Sequence, residues 1–461
     1  MVYTSFMSQK NVLELIFFTG IFFLFLLPHA DNDFGWHVRC GEQLLFEQRP
    51  CVKNEFTYFL PNFEWANPNF VYDAFLALIF RGFGFVGVSV AGALVFTLAI
   101  HFVYKASREP AVAVSSAIFL SWSIFDLGFR SQIVSFLFVF ITLWVLLKAK
   151  SLWILIPIFW LWGNIHSGFF LGVLVFGLFV IAQFYEFLRG KCDFATFAKT
   201  CAIFIAASAA TLFNPFGWRI YEEVYRHWQI PMHTLIAEWI PPATMHIVLI
   251  LLLDFIYIAF LLVRRRLPLF DILVLAVFSY FAILARRNLP LFYFSYATLF
   301  PRIDFPWKRG EAVLIPLLAP GVLLLAVIRV VSVLSFDYCN DGYVPMPCAA
   351  SSFMDGKVGN LYNRYEWGGY LVWRLPKMKM FVDGRMPAWT DERGKSAYTA
   401  WLEILQTQEG WNNRLAELHT DYLMISPDTF LDLLLKKQAE EFSYREIYRD
   451  GVAVVYERLK Y

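Results

Sequence analysis

Long apolar runs separated by short polar segments occupy most of the first 335 residues of the chain. A helix needs about 20 apolar residues to cross a bilayer, so the pattern predicts a polytopic helical domain with about eleven spans. For the two shortest runs, the alternatives are helices that are tilted, half-inserted or extended by less apolar flanking residues. The runs cover approximately residues 12–27, 86–104, 111–125, 131–147, 152–163, 168–187, 198–213, 246–263, 267–284, 288–300 and 312–335.

Residues 336–461 carry a different pattern, with many charges and alternating apolar positions. Met378–Val382, Tyr422–Ile425 and Val452–Tyr456 predict strands, and Lys395–Gln406 predicts a helix. Alternation of strands and helices is typical of a small α/β domain. The predicted fold is therefore mostly α: a transmembrane helical domain at 1–335, with long outer loops at 31–85 and 214–245, followed by an extracytoplasmic α/β domain at 336–461.

Composition supports the membrane prediction and excludes one class of partner. Hydrophobic residues make up 59% of the 461 residues and charged residues only 16%, against roughly 25% charged in soluble domains. Lipid can accept this excess of apolar surface, whereas water cannot. The net charge of +2 gives no reason to expect nucleic acid as a partner, so membrane lipids are the expected surroundings.

The positions of the basic residues predict the orientation of the chain. If the spans alternate, most lysines and arginines fall in gaps on one side, which the positive-inside rule makes the cytoplasm. The N-terminus is then inside and the C-terminal domain outside a bacterial cytoplasmic membrane. A cleaved signal peptide ending at Ala30 is an alternative, but Pro28 disfavours it. The basic residues are Lys105, Arg108, Lys148, Lys150, Arg189, Lys191, Arg264, Arg265, Arg266, Arg302, Lys308 and Arg309.

Two acidic residues follow the first span directly. Asp31 and Asp33 are two positions apart, with Trp36 and His37 next. In an extended turn the two carboxylates can share one cation or one proton. The alternative is that one of them caps a short interfacial helix, with Trp36 in the aromatic belt.

Other polar residues fall at the predicted outer ends of spans, where charges are costly unless they are paired or face water. Adjacent arginines suit a phosphate, which a guanidinium binds through two hydrogen bonds. Independent snorkelling or pairing with a neighbouring acid is the alternative. These residues are Arg130, Asn164, His166, Glu238, Arg286 and Arg287.

The six cysteines divide by predicted compartment. Cys40 and Cys51 share the first outer loop, and Cys339 and Cys348 share the segment after the last span. Both pairs face the oxidising side and are predicted disulfides. Cys192 and Cys201 are predicted to be cytoplasmic and reduced.

The ordered motifs resemble bacterial membrane proteins of the glycosyltransferase C (GT-C) superfamily, relatives of the dolichyl-phosphate-mannose protein mannosyltransferases. Asp31-Asn32-Asp33-Phe34-Gly35-Trp36-His37 through Gly41 is similar to a D-x-D-x-W-W-H-x-x-x-G opening, with Gly35 in place of the first Trp. Further matches are Trp65, Arg130-Ser131-Gln132, Asn164-x-His166-x-Gly168, Asn214-Pro215-x-Gly217, Glu238-Trp239, Arg286-Arg287-Asn288, Glu366-Trp367-Gly368-Gly369-Tyr370 and Val382-Asp383-Gly384-Arg385.

The resemblance implies a sugar transferase with a lipid-linked donor. An acid of the first outer loop, Asp31 or Asp33, is then the general base, with His37 beside it. Arg130, Asn164, His166, Arg286 and Arg287 are expected on the phosphate and donor side, and Glu238, Tyr370 and Arg385 on the acceptor side. The expected partners are a polyprenyl-phosphate-linked sugar and an envelope glycan, lipid or protein acceptor.

Three points stay open at the level of sequence. A divalent cation at Asp31 and Asp33 is compatible with the paired acids, but many relatives work without one. The two glycines before Tyr370 either let the backbone approach a ligand or shape a turn before a predicted strand at 371–375. A non-catalytic lipid-binding or assembly protein of the envelope that keeps the GT-C fold is the alternative function, whereas the absence of a visible repeat disfavours a transporter.

Overall fold

A computed structural model describes residues 9–107, 110–125, 128–149, 151–265, 267–300, 311–392 and 394–459. Several of the basic residues used to predict the orientation lie outside these ranges: Arg108, Lys150, Arg266, Arg302, Lys308 and Arg309.

Each of the eleven apolar runs contains a helix, and further helices belong to the polar segments. The helices in the described residues are α1 (Gln9–Leu24), α2 (Phe34–Phe46), α3 (Phe70–Ala106), α4 (Pro110–Ser121), α5 (Ser131–Lys148), α6 (Leu155–Gly163), α7 (Phe169–Leu188), α8 (Phe194–Ala210), α9 (Arg219–Gln229), α10 (Thr244–Arg264), α11 (Leu269–Leu284), α12 (Leu289–Leu299), α13 (Glu311–Ser335), α14 (Cys348–Phe353), α15 (Gly368–Arg374), α16 (Ala397–Leu405), α17 (Trp411–Glu417) and α18 (Phe430–Gln438).

Five helical segments among the described residues are long and apolar enough to cross a membrane. They are Phe70–Ala106, Ser131–Lys148, Phe169–Leu188, Ala237–Arg264 and Leu318–Ser335. Other apolar helices are shorter, and the two shortest predicted spans become α6 and α12, of 9 and 11 residues. The chain is a multi-pass membrane protein. Its orientation stays a prediction.

The chain divides into two compact units. The helical unit contains Met1–His29, Phe83–Gly217 and Ile236–Phe336. The mixed unit contains Ala30–Gly82, Trp218–Leu235 and Asp337–Tyr461. Parts of the two predicted outer loops therefore fold with the C-terminal residues, and the predicted placement of these residues outside the cytoplasm stays a prediction.

A five-stranded sheet forms the core of the mixed unit. Its strands are β1 (Gly359–Asn363), β2 (Met378–Met380), β3 (Tyr422–Ile425), β4 (Tyr444–Arg449) and β5 (Val454–Arg458), in the order β2-β1-β3-β5-β4. The pairs β1–β2 and β1–β3 are parallel, and β3–β5 and β4–β5 are antiparallel. Together with α14 to α18, this sheet is the small α/β domain that the sequence predicts.

The predicted strand at 371–375 is wrong, because this segment belongs to helix α15. The glycines before Tyr370 account for the difference, since Gly369 lets this helix pack closely against α2 and Gly368 lets it pack against the backbone of Val382 and Asp383. A Cβ atom at Gly35 would overlap the carbonyl oxygen of Gly369. This contact also explains Gly35 itself, because the Trp of the resembling motif would not fit against α15.

Candidate functional site

The two acids of the first loop lie at the start of α2, in the mixed unit. Asp31 is buried, and its Oδ1 accepts a hydrogen bond from the backbone N–H of Asp33 at 3.3 Å. Asp33 is half-buried and occupies the N-cap position of α2. In the described first turn of α2, the Asp33 side chain makes no capping hydrogen bond. The sequence left open that one of the acids caps a short helix. Asp33 occupies such a cap position, but its side chain does not make the capping hydrogen bond.

The Asp33 carboxylate packs against the backbone of Gly384. A Cβ atom at this glycine would overlap Asp33 Oδ1, so any other residue at position 384 would displace the carboxylate. In the Asp383-Gly384-Arg385 motif, Gly384 thus places backbone without a side chain beside the Asp33 carboxylate. Asp33 and His37 are one helical turn apart on α2 and share a face of that helix.

Negative charge from the acids reaches two tyrosines of the mixed unit, the buried Tyr338 and the half-buried Tyr365. Burial raises the pKa of Tyr338 well above its usual value, and the carboxylates of Asp31 and Asp33 raise it further. The hydroxyl of Tyr338 donates to the backbone oxygen of Asp31 at 3.1 Å. Burial likewise raises the pKa of Tyr365, with the charges of Asp33 and Asp383 adding to the effect. Both phenols are therefore neutral hydrogen-bond donors at neutral pH.

His37 is held by a buried carboxylate that follows it by 36 residues. Its Nδ1 lies 2.5 Å from Oδ1 of Asp73, and Asn67 Nδ2 donates to Oδ2 of the same carboxylate at 2.7 Å. The imidazole stacks on Trp36 with ring centroids 3.5 Å apart and meets Tyr72 edge-on at 5.0 Å. A carboxylate at Nδ1 orients the ring so that Nε2 is its acceptor nitrogen.

Arg385 lies inside the mixed unit and is paired with a carboxylate. Its Nε and Nη2 donate to the two oxygens of Asp383 at 2.9 and 2.6 Å, and both side chains are inaccessible to solvent. Four aromatic rings surround the guanidinium within 4.8–6.0 Å of its carbon: Trp36, Phe56, Trp65 and Trp389. This placement favours a role in holding the Asp383–Arg385 segment against Asp33.

Tyr370, the other predicted site residue of the mixed unit, is also buried. The hydroxyl of Tyr370 lies 2.9 Å from Ser351 Oγ. Disulfides join Cys40 to Cys51 and Cys339 to Cys348, whereas Cys192 and Cys201 are free. The first disulfide ties α2 to the loop that follows it, and the second closes the segment before α14.

A second cluster, in the helical unit, is built from two arginines and one glutamate. Arg130 Nη1 bonds to Oε1 of Glu238, and Arg287 Nη1 lies 3.9 Å from Oε2 of the same carboxylate. The guanidinium carbon of Arg287 is 4.5 Å from the centre of the Trp239 ring, and Gln132 donates to the Arg287 carbonyl at 3.3 Å. One acid between two arginines leaves this arginine cluster with a net positive charge.

A chain of hydrogen bonds between α5, α6 and α7 fixes His166, also in the helical unit. Trp162 Nε1 donates to Ser135 Oγ at 2.8 Å, and this oxygen lies 2.7 Å from His166 Nδ1. The backbone N–H of Gly168 donates to the same Nδ1 at 3.0 Å. Nearby in the chain, Asn164 Nδ2 donates to the carbonyl oxygens of Trp160 and Phe213 at 2.6 and 3.2 Å.

The structure therefore sorts the predicted site residues into two sets. Asp31, Asp33, His37, Tyr370 and Arg385 belong to the mixed unit, and the others belong to the helical unit: Arg130, Asn164, His166, Glu238, Arg286 and Arg287. Sequence reasoning missed Asp73, Asn67, Ser135 and Trp162, which position the two histidines. Of these four residues, Asp73 alone carries a signal that could have been read from the sequence, because it is an acid in the first turn of an apolar helix.

The acids do not by themselves define a metal site. Among the described residues, no group of three His, Cys, Asp or Glu side chains is placed to hold a metal ion. Asp31 and Asp33 would supply oxygen ligands, which suit a hard cation such as Mg²⁺ or Ca²⁺. The remaining ligands would be carbonyl oxygens, the substrate or water.

The arrangement of membrane helices with a C-terminal sheet domain is similar to that of two proteins of known structure. The chain is similar to the oligosaccharyltransferase AglB of Archaeoglobus fulgidus, solved with an inhibitory peptide and a dolichol-phosphate. The TM-score is 0.58 at 11% identity, over 96% of this chain and 74% of AglB. A structure of the Archaeoglobus fulgidus enzyme with Zn and sulfate gives 0.60 at 12% identity, over 97% and 73%.

A second neighbour is ArnT from Cupriavidus metallidurans, solved with undecaprenyl phosphate. It gives a TM-score of 0.50 at 12% identity, over 97% of both chains. The sequence matches no family model and no curated protein at a significant level. The TM-scores establish a shared fold, and the predicted architecture of a helical membrane domain followed by a small α/β domain is confirmed.

Proposed function

We propose that the protein is a glycosyltransferase of the cytoplasmic membrane. It moves a sugar from a polyprenyl-phosphate donor to an acceptor on the outer face. The observation that carries the proposal is the pair of carboxylates at the start of α2, followed one turn later by an imidazole that a buried carboxylate orients. The fold neighbours support it, because AglB was solved with dolichol-phosphate and ArnT with undecaprenyl phosphate.

The proposed reaction is a direct displacement at the anomeric carbon. The acceptor hydroxyl attacks this carbon and gives its proton to Asp31 or Asp33 as general base. The bond between the anomeric carbon and the phosphate oxygen breaks, and its electron pair leaves with the polyprenyl phosphate. A single displacement inverts the anomeric centre. Asp33 is the better placed of the two, because Asp31 is buried while Asp33 is half-buried.

The leaving phosphate gains negative charge as its bond to the sugar breaks, and preorganised donors stabilise this charge. We assign this role to the arginine cluster of the helical unit, because one glutamate between Arg130 and Arg287 leaves a net positive charge. Arg286, Asn164 and His166 belong to the same proposed donor-binding set. Glu238, expected on the acceptor side, is bonded within the arginine cluster, and we reassign it to holding the arginines in place.

The transferred sugar is proposed to be a hexose or a pentose, and the acceptor an envelope glycan, lipid or protein. Tyr370 and Arg385, the other residues expected on the acceptor side, are buried in the mixed unit, so we propose that they act by shaping the surroundings of Asp33. A divalent cation at Asp31 and Asp33 remains part of the proposal. The Zn bound in one neighbouring structure makes a metal worth testing.

A non-catalytic envelope protein that binds lipid-linked sugars is the second candidate function. The burial of Asp31, which is 4% exposed, and the packing of Asp33 against Gly384 favour it, because a base must reach its substrate. Both functions need the polyprenyl-phosphate donor to bind, and they differ in turnover.

Turnover of a lipid-linked sugar by purified protein in lipid nanodiscs tests the proposal. The donors are undecaprenyl phosphates that carry a radiolabelled hexose or pentose, and the readout is release or transfer of the label. We expect Asp33→Asn or Asp31→Asn to lower turnover by about 100-fold or more. Asp355→Asn is the matched control, since Asp355 is an exposed acid of the same unit.

Unchanged turnover in both asparagine variants would rule out the proposed base. Binding of the donors without any turnover by the unmodified protein would favour the non-catalytic function. Turnover that disappears with a chelator and returns with Mg²⁺ or Mn²⁺ would add the cation to the mechanism.

A further inference from the structure

The hydrogen bonds at Nδ1 of His166 determine where the ring carries its proton. The backbone N–H of Gly168 points at this nitrogen from 3.0 Å. An amide N–H can donate but cannot accept. Nδ1 must therefore present a lone pair, and the proton of the neutral ring is on Nε2.

Ser135 reinforces the same assignment. Its oxygen already accepts the indole N–H of Trp162 at 2.8 Å, and an indole nitrogen is a donor only. The serine hydroxyl can then direct its own proton at His166 Nδ1, 2.7 Å away. Trp162 and Ser135 are buried, so water competes little for these bonds. A second ring proton, on Nδ1, would face the Gly168 amide and disrupt this chain.

We propose that His166 is a neutral hydrogen-bond donor, through Nε2–H, to an oxygen of the lipid-linked phosphate. Ser135, Trp162 and Gly168 are positioning residues that fix its tautomer. The inference rests on the proposed function for its ligand, but its statement about the tautomer stands on the geometry alone. His166 is half-buried in the loop between α6 and α7, so the ring is partly accessible to a ligand.

A neutral donor complements the arginine cluster in the same unit. The arginines attract the phosphate in every state of the reaction, because their charge is permanent. A hydrogen bond from a fixed N–H group to an oxygen strengthens most when negative charge develops on that oxygen. Because the donor is already in place, the protein does not have to reorganise during the reaction. His166 is thus a candidate for stabilising the leaving phosphate without adding another charge to be desolvated.

The tautomer is tested by ¹⁵N NMR of the full-length protein labelled at histidine, in nanodiscs without ligand. The His166 signals are assigned by their loss in His166→Asn. We expect an unprotonated Nδ1 and a protonated Nε2. A proton on Nδ1, or rapid exchange between tautomers, would overturn the assignment. Ser135→Ala should shift the Nδ1 signal, which a remote structural role would not do.

The ligand is tested by the affinity for undecaprenyl phosphate in two variants of the same residue. Glutamine can place an amide N–H near the position of Nε2, whereas asparagine is too short to reach it. We expect His166→Asn to weaken binding by about tenfold, and His166→Gln by less than about threefold. Equal losses in both variants, or no loss in His166→Asn, would overturn the donor role.

The two experiments separate failure of the inference from failure of the proposed function. If the unmodified protein does not bind undecaprenyl phosphate while NMR finds the Nε2–H tautomer, the proposed ligand is wrong and the assignment of the tautomer is supported. If the lipid binds but Nδ1 carries the proton, the proposed function survives and the inference fails.

Discussion

The two histidines of the candidate site differ in what contacts their Nδ1 atoms. In the mixed unit, His37 Nδ1 meets the carboxylate of Asp73, whose other oxygen is held by Asn67. In the helical unit, His166 Nδ1 meets a backbone amide and a serine hydroxyl. One ring therefore donates at Nδ1 and the other accepts there. The same residue type is prepared as an acceptor at Nε2 in one unit and as a donor at Nε2 in the other.

This difference shows that the environment, more than the residue type, sets the chemistry of the two histidines. The mixed unit contains three pairs in which a buried carboxylate meets a basic side chain: Asp73 with His37, Asp383 with Arg385, and Asp432 with Arg449. The contacts described at His166 Nδ1 come from neutral groups, the Ser135 hydroxyl and the Gly168 amide. Proton acceptance fits the first arrangement, and stabilisation of an oxyanion fits the second. The four changes below test this contrast.

Replacement of Asp73 by Asn should have the largest effect. It removes the charge that orients His37, and it leaves an imidazole facing an amide in a buried position. Breaking a buried pair of this kind costs about 3–4 kcal/mol. The free energy of unfolding, measured by denaturant titration in detergent, should fall by this amount, and ¹⁵N NMR should show His37 losing its fixed tautomer.

Asp355→Asn is the control for this change, because Asp355 is exposed and its nearest contact, to Arg374, is 3.8 Å long. We expect that variant to lie within about 0.5 kcal/mol of the unmodified protein. If Asp73→Asn were equally mild and kept the His37 tautomer, the contrast between the two histidines would have no basis.

Asp432 tests whether paired carboxylates make the mixed unit sensitive to acid. Burial raises the pKa of Asp432, but hydrogen bonds from Arg449 and Tyr456 outweigh burial and lower it to about 2. A carboxyl whose pKa is depressed on folding stabilises the protein above its unfolded pKa, near 4, and this contribution is lost as the pH falls towards 2. We expect it to be about 2 kcal/mol at neutral pH, below the full conversion of the shift because Arg449 reaches solvent.

Unfolding of the unmodified protein and of Asp432→Asn, each at pH 7 and pH 3, measures this contribution. The difference in stability between the two proteins should shrink at pH 3, because protonation of Asp432 removes the interaction that the substitution removes. A difference that is the same at both pH values would assign the effect to packing and not to charge.

The fold could be predicted largely from sequence, because an apolar run of sufficient length has few stable forms in lipid other than a helix. The positioning residues could not. Asp73 stands 36 residues from His37 and Ser135 stands 31 residues before His166, and no local spacing links them. The strand predicted at 371–375 was wrong for a related reason, since a distant contact decides the structure of this segment. Its apolar residues fit a strand locally, but the close approach of Gly35 and Gly369 selects a helix.

Gly168→Ala tests the His166 cluster by crowding it. The added Cβ would overlap Ser135 Oγ and lie 2.8 Å from His166 Nδ1. The serine and the imidazole ring must therefore both move away from residue 168. Overpacking of this kind costs roughly 1.5 kcal/mol. Gly177→Ala is the matched control on the same helix, because its Cβ would meet its nearest neighbour at an ordinary 3.7 Å. Equal stability of the two variants would mean that the cluster is looser than the hydrogen bonds indicate.

Ser135→Ala should have the smallest effect on stability and the most specific effect on His166. The change removes the acceptor of the Trp162 indole and one of two donors to His166 Nδ1, while the Gly168 amide remains. Loss of one buried hydrogen-bond partner costs about 1 kcal/mol. Because the remaining donor still requires a lone pair at Nδ1, the tautomer should persist in ¹⁵N spectra while the Nδ1 signal shifts. A switch of the proton to Nδ1 would mean that the serine alone sets the tautomer, and the backbone amide would then lose its assigned role.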